Sequence, residues 1–135
     1  MMEFSGRCLC EAVHFQLKGT LNGFYFCHCT RCQKSSGSAH ASNLFFHNAN
    51  LVWEQGEEFC VNYTHQGTRF SKSFCSQCGC PLPRVIDGKN RVIMVPAGCL
   101  DGDQDFEPTA HIFTDSKKSW EEKLSHAIRF SGLPK

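Results

Sequence analysis

The chain has 135 residues, 41% of them hydrophobic, and sets 14 Lys and Arg against 13 Asp and Glu for a formal charge of +1. That length suits one domain, residues 1–135, with room for a buried core. The near-neutral balance, without any block of like charge, argues against nucleic acid or an anionic membrane surface as the main partner. No apolar run reaches the roughly 18 residues of a membrane span.

The opening "MMEFSGRCLC" carries an acid at Glu3 and lacks the basic-then-apolar layout of an export signal, so a reducing cytoplasm is the expected location. Ten cysteines in that setting point to metal rather than to disulfides.

In chain order, the first cysteine pair is "CLC", Cys8 and Cys10. "AVHFQL" then alternates, with Val13, Phe15 and Leu17 on one face of a predicted strand. "GFYFCHC" is aromatic and strand-like, and it delivers Cys27 and Cys29 at its end. "TRCQKSSGS" predicts a knuckle at Cys32 and a short helical turn that stops near Gly37. "SNLFFH", "EFCVNYTH" and "RFSKSFC" are further short strands, the last leading into "CSQC" at Cys75 and Cys78. "RVIDGKNRVIMV" predicts a hairpin across Asp87-Gly88. Trp120, Leu124, Ala127 and Ile128 fall at helical spacing, so a short C-terminal helix is predicted before Gly132 and Pro134, with Trp120 packed in the core. The fold class is mainly β with short helical turns.

Seven of the ten cysteines thus lie in three clusters. Residues two apart on an extended strand share a side, so each C-x-C is expected to aim two sulfurs at one ion. A C-x-x-C at a tight turn does the same, and Gly79 after Cys78 suits such a turn. The outer pairs sum to four thiolates and close one tetrahedral site on Cys8, Cys10, Cys75 and Cys78. The triplet added to either pair would make five. Cys27, Cys29 and Cys32 therefore stand as a unit of their own.

Six motifs in sequence order, "CLC", "CHCTRCQKSSG", "FCSQCGCPL", "AGCLD", "PTAHIF" and "SW", resemble the glutathione-dependent formaldehyde-activating enzyme family. The resemblance spans Cys8 to Trp120. It implies an Mss4-like fold of several coiled antiparallel β-sheets. It also implies two zinc ions, one structural on Cys8, Cys10, Cys75 and Cys78 and one catalytic on Cys27, Cys29 and Cys32. The implied partners are the thiol glutathione and the aldehyde formaldehyde, with S-hydroxymethylglutathione as product of a carbon–sulfur lyase-type reaction.

Three protein ligands and an open position describe a catalytic zinc, whereas structural sites are closed. Sulfur-rich surroundings suit a further sulfur in the fourth place, so a substrate thiol held there as thiolate would attack an aldehyde carbon. The alternative is a second structural site closed by His28, His40, Cys60, Cys80, Cys99 or His111. His28 suits this least, because it alternates away from Cys27 and Cys29. On that alternative the chain is a zinc-stabilised binding module. A rubredoxin-like iron protein is a third reading, weakened by the absence of paired C-x-x-C hairpins. Cys60, Cys80 and Cys99 are otherwise expected to be small buried hydrophobes. Arg31 and Lys34 can meet carboxylates of a peptide thiol or simply face solvent, and Ser35, Ser36 and Gly37 can offer turn N–H groups. His111 is read as a structural imidazole or a proton carrier, and Asp101 as a residue that fixes a turn.

Overall fold

A computed structural model describes residues 1–134 and gives a mainly β fold. The chain begins with β1 (Met2–Arg7), which pairs antiparallel with the start of β2 (His14–Cys27). Val13, Phe15 and Leu17 are fully buried, while Gln16 and Lys18 on either side of Leu17 face solvent. The alternation read from the sequence is therefore the inner face of a real strand. That strand does not stop at Leu17. It continues through the aromatic stretch as one 14-residue element, bent by register shifts at Lys18/Thr20 and Leu21/Gly23. Such irregularities let a long strand curve around a core.

After Cys27 the chain turns into α1 (Thr30–Ser36), which ends at Gly37 in the left-handed region with φ 68°. Glycine pays no Cβ penalty there, so the helix stops where the sequence predicted. It then returns as β3 (Ala41–Gln55), antiparallel to β2 along most of its length, with Leu44 and Phe46 fully buried. A second sheet follows from β4 (Cys60–Thr64), β5 (Ser71–Cys75) and β6 (Pro81–Leu82). The predicted hairpin is β7 (Arg84–Asp87) and β8 (Val92–Pro96), and β8 adds to β3 through Ile93 and Val95. The larger sheet thus has the order β1-β2-β3-β8-β7. Its last strand, β9 (Ala110–Ile112), runs parallel to the end of β2 and pairs with Tyr25–Cys27.

One core serves both sheets: Phe15, Leu17, Leu44, Phe46, Ile93 and Val95 from the larger pack with Cys75 and Leu82 from the smaller. The predicted C-terminal helix is instead a 3-10 turn over Glu121–His126. Trp120 is 46% exposed and Ile128 82%, so Trp120 is not core. Helical spacing of apolar residues stabilises a helix only where a surface receives that face, and among the described residues Trp120, Leu124 and Ile128 all stay exposed.

Candidate metal centres

The outer cysteine pairs meet across the two sheets. Cys8 and Cys10 lie not on a strand, as expected, but on the tight turn between β1 and β2. Glu11 has φ 64° there, and its N–H donates to the Cys8 carbonyl at 3.0 Å. The turn, not strand alternation, brings the two sulfurs to 3.6 Å. Opposite them, Cys75 ends β5, and the N–H of Gly79, at φ 76°, donates to the Cys75 carbonyl at 2.7 Å. Cys10 Sγ and Cys75 Sγ are 3.9 Å apart, and the four sulfurs all lie within 4.8 Å of one another. Tetrahedral zinc with Zn–S bonds of about 2.3 Å spaces its sulfurs at about 3.8 Å. The set fits zinc.

Its electrostatics point the same way. Backbone N–H groups of Cys10 and Cys80 bring the Cys78 thiol down to about 6. Cys10 receives an N–H from Ala12, yet burial and the surrounding thiols of Cys8, Cys78 and Cys75 outweigh it and push Cys10 up to about 12. Four crowded thiols cannot all ionise unless a cation joins them.

The triplet assembles around the start of α1. Cys27 ends β2, Cys29 is the helix N-cap, and Cys32 lies one turn in. Cys29 Sγ accepts the Cys32 N–H at 3.3 Å, as a capping side chain does. The three sulfurs lie within 4.8 Å of one another, and among the described residues no further Cys, His, Asp or Glu joins the group. Burial raises Cys27, and burial with the neighbouring thiols raises Cys32 more strongly. Burial opposes ionisation of Cys29 too, but N–H groups of Cys32 and Arg31 and the two neighbouring thiols more than offset it, so Cys29 is lowered. The triplet fits a soft cation held from three sides.

Beside it opens a cavity of about 530 Å³, lined by Cys32, Ser35, Ser36, His40, Lys72 and Phe74 among others. Lys72 is its only fixed charge among the described residues, with Nζ 5.4 Å from the centroid of the Phe74 ring. Arg31 and Lys34 are exposed and do not line it. Gln33 went unnoticed in the sequence. It is 6% exposed, and its side-chain amide donates to the His28 carbonyl at 2.7 Å and to the Ser116 carbonyl at 2.9 Å. It thereby ties α1 to the segment after β9. Its place within "CHCTRCQK" was the available signal. Lys72 carried none, because nothing in "RFSKSFC" marks which side chain faces a cavity.

None of the candidate fourth ligands joins the triplet. His28 Nε2 lies 2.7 Å from His111 Nδ1, and these two residues with Glu121 form a separate group. Cys99 is buried as expected, whereas Cys60 and Cys80 are only half-buried. Cys80 Sγ donates to the Pro81 carbonyl at 3.4 Å and stays outside the four-sulfur set. Asp101 ties its loop to β1: its N–H donates to the Ser5 carbonyl at 2.9 Å, and its carboxylate meets Arg7 Nε at 3.3 Å.

Fold and site together define a β-sheet protein with two cysteine clusters that could each hold a zinc ion, one of four thiols and one of three. The chain belongs to the glutathione-dependent formaldehyde-activating enzyme family, whose model matches residues 3–116. Among solved structures it is similar to a crystal structure of a Rhodobacter sphaeroides protein, at 24% identity and a TM-score of 0.61, covering 79% of this chain and 98% of that one. That likeness concerns the fold. No curated protein matches the chain.

Proposed function

We propose that the chain is a zinc-dependent thiol-adduct enzyme, a carbon–sulfur lyase of the S-(hydroxymethyl)glutathione synthase type. It joins glutathione or a similar thiol to a small aldehyde such as formaldehyde. The observation that carries this reading is that the Cys27, Cys29 and Cys32 cluster stops at three, next to a ligand-sized cavity, while the outer cluster reaches four. The outer four would hold structural zinc, and the triplet catalytic zinc. A zinc ion on the triplet supplies Lewis-acid stabilisation of thiolate at neutral pH.

The chain's own residues do the rest. N–H groups at the start of α1 favour the Cys29 thiolate against the burial that opposes it. Gln33 fixes that helix against the Ser116 carbonyl, so the sulfurs keep their spacing. Lys72 meets a carboxylate of the peptide thiol, and the serines of the cavity wall bond its amides. A thiol so oriented adds to the aldehyde carbon and forms a hemithioacetal. The reverse breaks the carbon–sulfur bond and returns both parts.

The test must exceed the uncatalysed reaction. Exchange NMR of glutathione with formaldehyde should show faster interconversion with zinc-loaded protein than without it. S-Methylglutathione, which has no thiol proton to lose, should neither react nor compete well. Equal exchange rates with and without protein would overturn the reading.

A further inference from the structure

We propose that His28, His111 and Glu121 form a third metal site, separate from both cysteine clusters, for a borderline divalent cation of the zinc, cobalt and nickel type. Three chain segments bring the ligands together. His28 follows the end of β2, His111 lies on β9 opposite Phe26, and Glu121 opens the 3-10 turn after it. Their ligand atoms lie within 4.8 Å of one another. Two imidazoles and one carboxylate are a recurrent donor set for such ions, with positions left open for solvent or substrate.

The arrangement is held from outside the site. His28 N–H donates to the Ile112 carbonyl at 2.9 Å, which fixes the spacing of the two histidines. The Gln33 amide bridges the His28 and Ser116 carbonyls and so anchors the segment leading to Glu121. The imidazole centroids of His28 and His111 are 5.0 Å apart, and His40 packs against the first at 5.2 Å.

His28 is the telling residue. It is 1% exposed, and its one side-chain partner is His111, with Nε2 and Nδ1 2.7 Å apart. One proton lies between the two facing ring nitrogens of that contact, in the place a cation would take between them. The other ring nitrogen of His28, Nδ1, has no partner among the described residues, and a cation held through Nε2 would leave it so. A buried imidazole whose Nε2 faces a second imidazole, with a carboxylate alongside, presents a ready donor set on that side of the ring. Tetrahedral zinc, with Zn–N bonds of about 2.0–2.1 Å, needs its nitrogens about 3.3 Å apart. Opening the pair by about 0.6 Å is within reach of His111, which is exposed. Glu121, itself half-buried, supplies negative charge to offset a dication held against the buried His28. The buried Cys27 and Cys32 belong to the other cluster, so the strand end carries a sulfur site and a nitrogen-oxygen site on neighbouring residues.

Cobalt(II) separates the two chemistries, because thiolate ligation gives intense near-ultraviolet charge transfer and a nitrogen-oxygen site does not. Full-length reduced protein with both cysteine clusters filled by zinc should bind one further Co²⁺ per chain, with weak visible bands and no sulfur charge transfer. His111→Ala and Glu121→Gln should each weaken that binding by about tenfold or more, on the scale of disturbing a metal site. His126→Ala, on the same turn as Glu121, should leave it unchanged. His28→Ala is unsuitable alone, since it empties a buried position. Uptake of no third ion, uptake accompanied only by sulfur charge transfer, or binding indifferent to both variants would overturn the site.

Discussion

Cys29 is the single residue on which the proposed chemistry of the triplet can be tested most directly. Its sulfur caps α1 and is the only thiol of the three that its surroundings favour as thiolate. Serine at this position keeps a capping oxygen, and serine is among the preferred N-cap residues. Cys29→Ser should therefore abolish thiol-adduct exchange while lowering the melting temperature by only a few degrees, since about 1 kcal/mol moves a domain of this size by about 4 °C. Circular dichroism melts beside exchange NMR check both halves. A loss of stability equal to that of Cys75→Ser would instead make the triplet a structural site and the chain a binding module. Lys72 offers a second residue-level test. If its ammonium meets a substrate carboxylate, Lys72→Gln should raise KM for glutathione by about tenfold with little change in kcat, the cost of one charge-assisted hydrogen bond.

Elements meet at a few backbone contacts that tolerate no side chain. Gly56 follows β3 with φ 78°, and a Cβ there would lie 2.0 Å from the Ala12 carbonyl oxygen. Gly56→Ala should destabilise the protein by roughly 3 kcal/mol or more, by combining left-handed strain with a clash between backbones. Denaturant midpoints measure it, and a midpoint within error of the parent would show that the β1–β2 turn can yield. The strands themselves were legible wherever alternation or aromatic runs matched a buried face, as at Phe15 and Leu17. The cysteine clusters were legible from motif count alone. The parallel pairing of β9 was not, because three residues of ordinary composition carry no period, and only the returning chain gives them a partner. Glu121 was invisible for the same reason. The C-terminal spacing misled because periodicity records a possible face, whereas burial depends on something lying opposite it.

At the scale of the molecule, the four-sulfur clasp joins two sheets of unequal independence. The larger sheet buries Phe15, Leu17, Leu44, Phe46, Ile93 and Val95 on its own strands. The smaller has three strands, and β4 is exposed along most of its length, with Asn62, Tyr63 and Thr64 at the surface. Its buried contributions are Ser73, Cys75 and Leu82, and Cys75 is itself one of the four clustered thiols. A three-stranded sheet with so little apolar burial draws its order from outside itself. Zinc on Cys8, Cys10, Cys75 and Cys78 would supply it, since structural zinc contributes on the order of 10 kcal/mol in small metal-dependent domains. Chelation under reducing conditions should then act regionally. Amides of Cys60–Thr64 and Ser71–Cys75 should lose protection from hydrogen exchange first, while those of β2 and β3 around Leu17 and Leu44 remain slow. Cys8→Ser should reproduce that pattern without chelator, and Cys29→Ser should not. A uniform loss of protection would mean that both sheets depend on the ion, and unchanged protection of β4 and β5 would mean that the outer cysteine pairs do not share one.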